Sequence, residues 1–253
     1  MTTTLTGSTK VWRYFDQTKA EHFVKTSKIY LRRLDLLTSF FEGDPYEGNP
    51  TFSLIEIDLN AHQNAFGHAD ENEIKQQYRD EQKATFVSCW QMSDCESWLM
   101  WKQYCNKGGG FAVQTDVKRL SVLAGKKSLL LKPVEYLDHY LDLSLREHTV
   151  PIQVFIKPRW FTDEKEIRLA RFRGDCICGT NEQKEAALAG LNDHELIETN
   201  LSDLIEKIVW NPFSSDFQKK EVWNLINTLH PELKSRVFDS EISCEPVLTR
   251  KMY

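Results

Sequence analysis

The sequence predicts an α+β protein: one domain over residues 11–253 behind a short tail at 1–10, with a mixed, mainly antiparallel sheet flanked by helices. Three observations carry this expectation. Residues 84–116 read as strand, helix, glycine stop and strand in immediate succession. "EIRLARFR" (166–173) alternates charged and apolar residues at the period of a strand. No internal repeat, low-complexity tract or linker-like stretch divides the chain.

Taken in order, "KVWRYFD" (10–16) reads as a first strand. In "TKAEHFVKTSKIYLRR" (18–33), Ala20, Phe23 and Val24 recur at helical spacing before "KIYLRR" alternates as a strand. "EGDPYEGNP" (42–50) is rich in Gly, Pro and acid and reads as a loop. A mixed stretch from residue 53 leads into "ADENEIKQQYRDEQK", whose dense charge suits a solvated helix. "ATFVSCW" (84–90) is β-branched and aromatic, hence a strand. In "SDCESWLMWKQYC", Ser93 and Glu96 fit a capping box. Trp98, Leu99, Met100, Trp101, Tyr104 and Cys105 would form a broad buried stripe. Gly108, Gly109 and Gly110 end that helix before the strand "GFAVQTD". Downstream, "PVEYLD" (133–138) is a short strand and "HYLDLSLREHT" leads on to "PIQVFIKPRWF". Residues 180–210 alternate loop and helix before the strand "EKIVW". "SSDFQKKEVWNLINTL" (214–229) is an amphipathic helix, and "SRVFDSEIS" a last strand.

Of the 253 residues 41% are hydrophobic and 27% charged, an ordinary globular composition. A net charge of −5 argues against a protein that holds nucleic acid by neutralising phosphates overall. No apolar run approaches the roughly 18 residues a membrane helix requires. The opening "MTTTLTGSTK" lacks the apolar core of a signal peptide, so a cytoplasmic protein without membrane partners is expected. The six cysteines show no zinc-like spacing and read as reduced thiols.

The stretch that invites chemistry is "TDEKEIRLARFRG" (162–174). In an extended chain a spacing of two places Glu164, Glu166 and Arg168 on one strand face. Such a face is a solvated face, an ion-pair ladder, or a catalytic carboxylate pair with an arginine beside it. Asp44 and Glu47, in the acidic loop, are turn formers and also candidate pocket residues. A metal-dependent nuclease is a further alternative. There Asp163 and Lys165 would form an acid-x-lysine element and Asp44 would add a second acid. Trp160 is expected to pack under the strand that presents Glu166.

"FVSCWQMSDCESWLMWKQYCNKGGGFAV", with "KIYLRRLDLLTSFFEGDPYEG" upstream and "KPRWFTDEKEIRL" downstream, resembles the bacterial domain-of-unknown-function family 2971. The likeness runs from about residue 11 to 244 and includes the tail "IVWNPFSSDFQKKEVWNLI". Gly43 stands where that family usually has Asn before Asp-Pro. The order of Arg13 on a first strand, Ser88 on a middle strand and Glu164-Lys165-Glu166 late in the chain is also similar to the arginine–serine–glutamate arrangement of ADP-ribosyltransferases. That likeness implies a split sheet and an NAD-dependent ADP-ribosyltransferase or NAD glycohydrolase, as found in bacterial toxins and phage-defence effectors. Glu166 would then stabilise the oxocarbenium-like sugar, and Glu164 would steer the acceptor. Arg13 and Arg168 would grip phosphate, and Ser88 would orient ribose and carboxylate. Tyr14, Trp90 and Tyr104 would stack on nicotinamide. NAD would be the dinucleotide substrate, with protein, nucleic acid or water as acceptor. A non-catalytic ligand-binding or regulatory module of the same fold, with Glu166 tied up by Arg168, is the alternative. The oligomeric state is left open.

Overall fold

The computed structural model describes residues 5–37, 44–105, 108–138 and 151–243. The expected stretch "HYLDLSLREHT" (139–149) lies wholly outside these residues, as does Gly43. In chain order the elements begin with β1 (Lys10–Phe15), α1 (Gln17–Thr26), β2 (Lys28–Arg33), α2 (Phe52–Phe66), α3 (Glu71–Lys83) and β3 (Thr85–Met92). They continue with α4 (Trp98–Cys105), β4 (Phe111–Asp116), α5 (Val117–Lys127), β5 (Leu130–Pro133), β6 (Glu135–Leu137), β7 (Ile156–Pro158) and β8 (Glu166–Phe172). The remainder is α6 (Asn181–Ala189), β9 (His194–Glu198), α7 (Leu201–Leu204), β10 (Lys207–Trp210), α8 (Asp216–Leu229) and β11 (Val237–Phe238). The fold is α+β, with a mixed, mainly antiparallel open sheet flanked by helices. No helix among the described residues is long and apolar enough to cross a membrane.

The chain forms two compact units, each assembled from separated segments. The first comprises Met1–Ile29, Trp90–Leu123 and Glu198–Tyr253; the second comprises Tyr30–Cys89 and Ala124–Ile197.

In the first unit β1 pairs antiparallel with β4 along its whole length, from Lys10 opposite Asp116 to Phe15 opposite Phe111. Strand β10 extends β4 antiparallel, and β11 joins β10 in parallel. Side chains of β1 alternate between faces. Trp12 and Tyr14 enter a core with Met100, Trp101, Cys105, Ala112 and Val209. The chain can enter β4 only through glycine at 110. Its φ is +82°, and a Cβ there would stand 2.0 Å from the Phe15 carbonyl oxygen. Helix α8 starts at Ser215, whose hydroxyl accepts from the Gln218 N–H while the Gln218 side chain reaches back, a capping box.

Helix α4 departs from expectation at both its start and its buried face. It begins at Trp98, capped by the Ser97 hydroxyl, while Ser93 donates to the Cys95 carbonyl oxygen instead of capping. Glu96 is drawn away from a capping role because its carboxylate accepts from Trp101 Nε1, the Ser240 hydroxyl and the Glu241 N–H. Met100, Trp101 and Cys105 are buried, but Trp98, Leu99 and Tyr104 are exposed. Apolar residues are spread around most of this helix, interrupted by the exposed Lys102 and Gln103, and only the side of Met100, Trp101 and Cys105 is buried.

In the second unit β3 pairs antiparallel with β2, Arg32 opposite Val87, and also neighbours β8. Strand β8 pairs antiparallel with β5, Lys132 opposite Arg168. β6 and β7 make a separate parallel pair, with Tyr136 opposite Lys157. Val87, Ala170, Val154, Phe155 and Leu34 form a core against which Cys89 packs. The final expected strand over 235–243 shrinks to β11, followed by a 3-10 turn at Glu241–Ser243. The five described cysteines are free thiols.

Candidate functional site

The chemistry concentrates in the second unit, at the start of β8. Strand β8 is buried on both faces: Ile167 and Leu169 point one way, and Glu166, Arg168 and Ala170 point the other. Arg168 is fully buried and all five of its N–H donors are used. Nε and Nη2 donate to Oε1 and Oε2 of Glu166, each at 2.9 Å. Nη1 and Nη2 donate to the two oxygens of Glu47 at 2.5 and 2.9 Å, and Nη1 also donates to the Val154 carbonyl oxygen. One guanidinium thus holds two carboxylates, each through both oxygens.

Glu47 is delivered to this point by a tight turn over residues 44–49. Asp44 Oδ1 accepts the Tyr46 N–H at 2.8 Å, and the Glu47 N–H donates to the Asp44 carbonyl oxygen at 3.0 Å. Gly48 allows the turn to close, because its φ is +65° and a Cβ would stand 2.5 Å from Leu34. Gln82 of α3 donates to the Glu47 carbonyl oxygen at 3.2 Å and anchors the turn.

A second cation completes the cluster. Lys157 of β7 is buried, with Nζ 2.6 Å from Glu164, 3.5 Å from Glu47 and 3.6 Å from Glu166. It also lies 4.9 Å from the centre of the Phe161 ring. Burial alone would push the Lys157 ammonium down, but Glu166, Glu47 and Glu164 together hold it above the ordinary lysine range. Burial would raise the Glu166 carboxyl, yet Arg168 and Lys157 pull it down to about 2. The Cys89 thiol also hydrogen-bonds Glu166 and is itself pushed up by burial and by that carboxylate. The Glu166 N–H donates to the Tyr136 hydroxyl at 2.7 Å.

Glu164 differs from its neighbour two residues on. It ends a 3-10 helix, Arg159–Glu164, and Lys165 then takes a left-handed conformation, φ +43° and ψ 53°, before β8 begins. The expected common strand face for Glu164 and Glu166 is therefore not formed. Instead the two acids meet Lys157 from different elements. Glu164 keeps 19% of its side chain exposed, against 6% for Glu166. Burial raises its carboxyl despite the adjacent ammonium. Asp44 behaves similarly: desolvation raises its carboxyl, and Oδ2 is buried without a hydrogen bond.

Aromatic side chains border this acidic edge. Trp160 is 56% exposed, contrary to the expectation that it packs beneath β8, and it meets Tyr46 edge-on at 5.5 Å. The 3-10 turn presents its indole outward and uses Phe161 to cover Lys157.

The other expected site residues fall elsewhere. Ser88 and Cys89 are consecutive on β3 and leave opposite faces. Cys89 meets Glu166, so the buried Ser88 lies on the face away from that carboxylate. Arg13 belongs to the first unit, where its guanidinium sits over the rings of Phe15 at 5.3 Å and Trp90 at 5.7 Å. Tyr14 projects from the opposite face of β1, packs edge-on against Trp101 at 4.9 Å and accepts the Ser97 N–H at 2.8 Å. Its ring is core, and burial raises its hydroxyl above the ordinary range. Trp90 is buried and Tyr104 is 41% exposed on α4. Asp163 is exposed on the 3-10 turn while Asp44 is buried, and among the described residues no three His, Cys, Asp or Glu side chains converge as a metal set would.

Lys157, Cys89 and Tyr136 are site residues that sequence reasoning misses. Only Lys157 leaves a signal, as the lone charge in the apolar run "VFIKP".

What fold and site define together is an α+β protein with a buried ionic centre that reaches solvent through one acid. Comparison of the chain with protein-family models, curated proteins and solved structures found no match, so function is argued from the residues themselves.

Proposed function

We propose that the second unit is a ligand-recognition module in which Arg168, Glu166 and Glu47 form a rigid floor and Glu164 is the acid that meets the ligand. One observation carries this reading. Both oxygens of Glu166 are engaged by a fully buried arginine, whereas Glu164 stays partly exposed beside Lys157. An acid held at about 2, with every lone-pair direction contested, serves as structure.

The ligand chemistry follows from charge and shape. Three carboxylates face two cations, so the centre carries an excess negative charge. An exposed indole and a tyrosine ring border it. Carboxylate plus aromatic faces suit a flat cation. The pyridinium end of NAD is such a group, and the reduced cofactor, whose dihydropyridine is neutral, is not. Calorimetric titration with NAD and NADH tests this. Binding of NAD about tenfold tighter than NADH, weakened in Glu164→Gln, is expected. Equal affinities, or no binding of either, would overturn it.

A second reading, NAD-dependent ADP-ribosyl transfer or NAD hydrolysis, has support from Glu164 alone. A carboxyl raised by burial next to an ammonium can stabilise positive charge developing on ribose. Protein, nucleic acid or water would be the acceptor. Release of labelled nicotinamide by the wild type and not by Glu164→Gln would establish this reading, and release unaffected by that change would exclude it.

A further inference from the structure

We propose that Asp44 is a proton-operated latch on the turn at residues 44–49, which stays closed while the Asp44 carboxyl is neutral and opens when that proton is lost. Such a latch acts on the turn itself, whether or not the acidic edge takes NAD.

The Asp44 carboxyl is held through one oxygen only. Oδ1 accepts the Tyr46 N–H at 2.8 Å, while Oδ2 is buried and has no hydrogen bond. The residue as a whole is 5% exposed. An ionised carboxylate offers about four acceptor positions, and here one of them is used. The neighbouring cations have no capacity left for it. Every Arg168 N–H is taken by Glu166, Glu47 or the Val154 carbonyl oxygen. Lys157 lies among Glu47, Glu164 and Glu166. These two cations already face three carboxylates, so an ionised Asp44 adds a second unmatched negative charge.

The charged groups that act on Asp44 are Glu47 on its own turn, Lys157 of β7 and Arg168 of β8. From α3 the turn meets Gln82, and Leu34 lies against Gly48; neither titrates. Desolvation and Glu47 raise the Asp44 carboxyl and outweigh the Tyr46 N–H, Lys157 and Arg168. A neutral carboxyl leaves one hydroxyl unpaired, a smaller penalty than a buried charge without partners. Once ionised, the carboxylate gains most by reaching water. Pro45 and Tyr46 are only half-buried, so solvent lies one residue away. Glu47 cannot follow, because Arg168 holds both its oxygens. The movement therefore falls on residues 44–46. It breaks the bond from the Tyr46 N–H to Oδ1 and takes the Tyr46 ring from its edge contact with Trp160.

Asp44→Asn keeps the shape of the neutral carboxyl and cannot ionise. Closed wild type holds the Asp44 proton above the ordinary value of 3.8. Its folding constant relative to Asp44→Asn should therefore fall about tenfold per unit of pH above that value, then level off once the folded carboxyl ionises. Over the range where it levels off, protection of the Tyr46 N–H against hydrogen exchange, corrected for the intrinsic rate, should drop about tenfold in wild type and hold in Asp44→Asn. A ratio of folding constants independent of pH would overturn the proposal, as would Tyr46 protection that is constant in wild type or falls equally in both proteins. Glu164→Gln removes the other carboxyl that burial raises beside Lys157 and should leave this response intact. Loss of the response in that variant would assign the switch to Glu164 and overturn the role of Asp44. Should Asp44→Asn not fold, the carbon resonance of the Asp44 carboxyl in isotope-labelled wild type decides. It must titrate over the range in which Tyr46 loses protection, and a carboxyl already ionised below that range excludes the latch.

Discussion

Glu166 and Arg168, two residues apart on β8, face each other fork to fork, Nε to Oε1 and Nη2 to Oε2 at 2.9 Å each. The spacing of two that puts them on one face also makes this pairing possible. An exposed pair of this kind contributes little to stability, because water competes for both partners. Here the pair is buried, and Glu47 occupies the rest of the guanidinium. The cost of desolvating three charges is then offset only while all of them remain.

Arg168→Met should therefore leave Glu47 and Glu166 buried without their main partner and destabilise the protein by about 3–5 kcal/mol. Arg168→Lys should recover only part of this, since one ammonium cannot serve two carboxylates bidentately. Urea unfolding followed by tryptophan fluorescence measures both. A loss under about 1 kcal/mol for Arg168→Met would contradict the structural role argued here.

The pH dependence has a definite sign. The Glu166 carboxyl is held at about 2 in the folded protein against an ordinary value of 4.5. Its contribution to stability is fully present above 4.5 and is lost as pH falls toward 2. Asp44 and Glu164 are raised by burial, so they act in the opposite direction as pH falls. Comparison of wild type with Glu166→Gln isolates the first effect. The gap in unfolding free energy between the two should narrow steadily from pH 4.5 downward, and a gap independent of pH would refute the assignment.

Much of this fold is legible in the sequence, and the reasons for the gaps are physical. β1, α1, β2, β3, β4, β8, β10 and α8 announce themselves through clean periods and caps. Helix α2 does not, because it buries only Leu54 among the residues of its span and so shows no clear stripe. The face of β8 is readable, since alternation survives burial on both sides. Its beginning is not, because a lysine at 165 gives no residue-type signal for the left-handed turn it adopts, with its N–H closing back on the Thr162 carbonyl oxygen. Likewise Ser88 reads as a site residue by type, while its unremarkable neighbour Cys89 makes the contact with Glu166.

Lys165 offers a direct test of that turn. A non-glycine residue at φ +43° costs about 1–2 kcal/mol, and a β-branched one costs more. Lys165→Gly should be neutral or mildly stabilising, since relief of strain offsets the added freedom of the unfolded chain. Lys165→Val should destabilise by about 2 kcal/mol and detach Glu164 from Lys157. Thermal unfolding ranks the three proteins. A Val variant as stable as wild type would show that the turn is not held as described.

Trp160 separates recognition from stability most cleanly, because over half of its surface faces water. Its two described ring contacts are the edge contact with Tyr46 and the tilted one with the neighbouring Phe161. Removing an aromatic pair of this kind costs no more than about 1.5 kcal/mol, so Trp160→Ala should fold with a nearly unchanged midpoint. The loss of a cation–π face of about 1 kcal/mol should weaken NAD binding roughly fivefold while leaving NADH binding unaffected. Calorimetry with both cofactors on the same folded variant measures the two effects together. If NAD affinity survives the removal of the indole, the flat cation does not lie on that ring, and the acidic edge at Glu164 must be assigned to a different class of ligand.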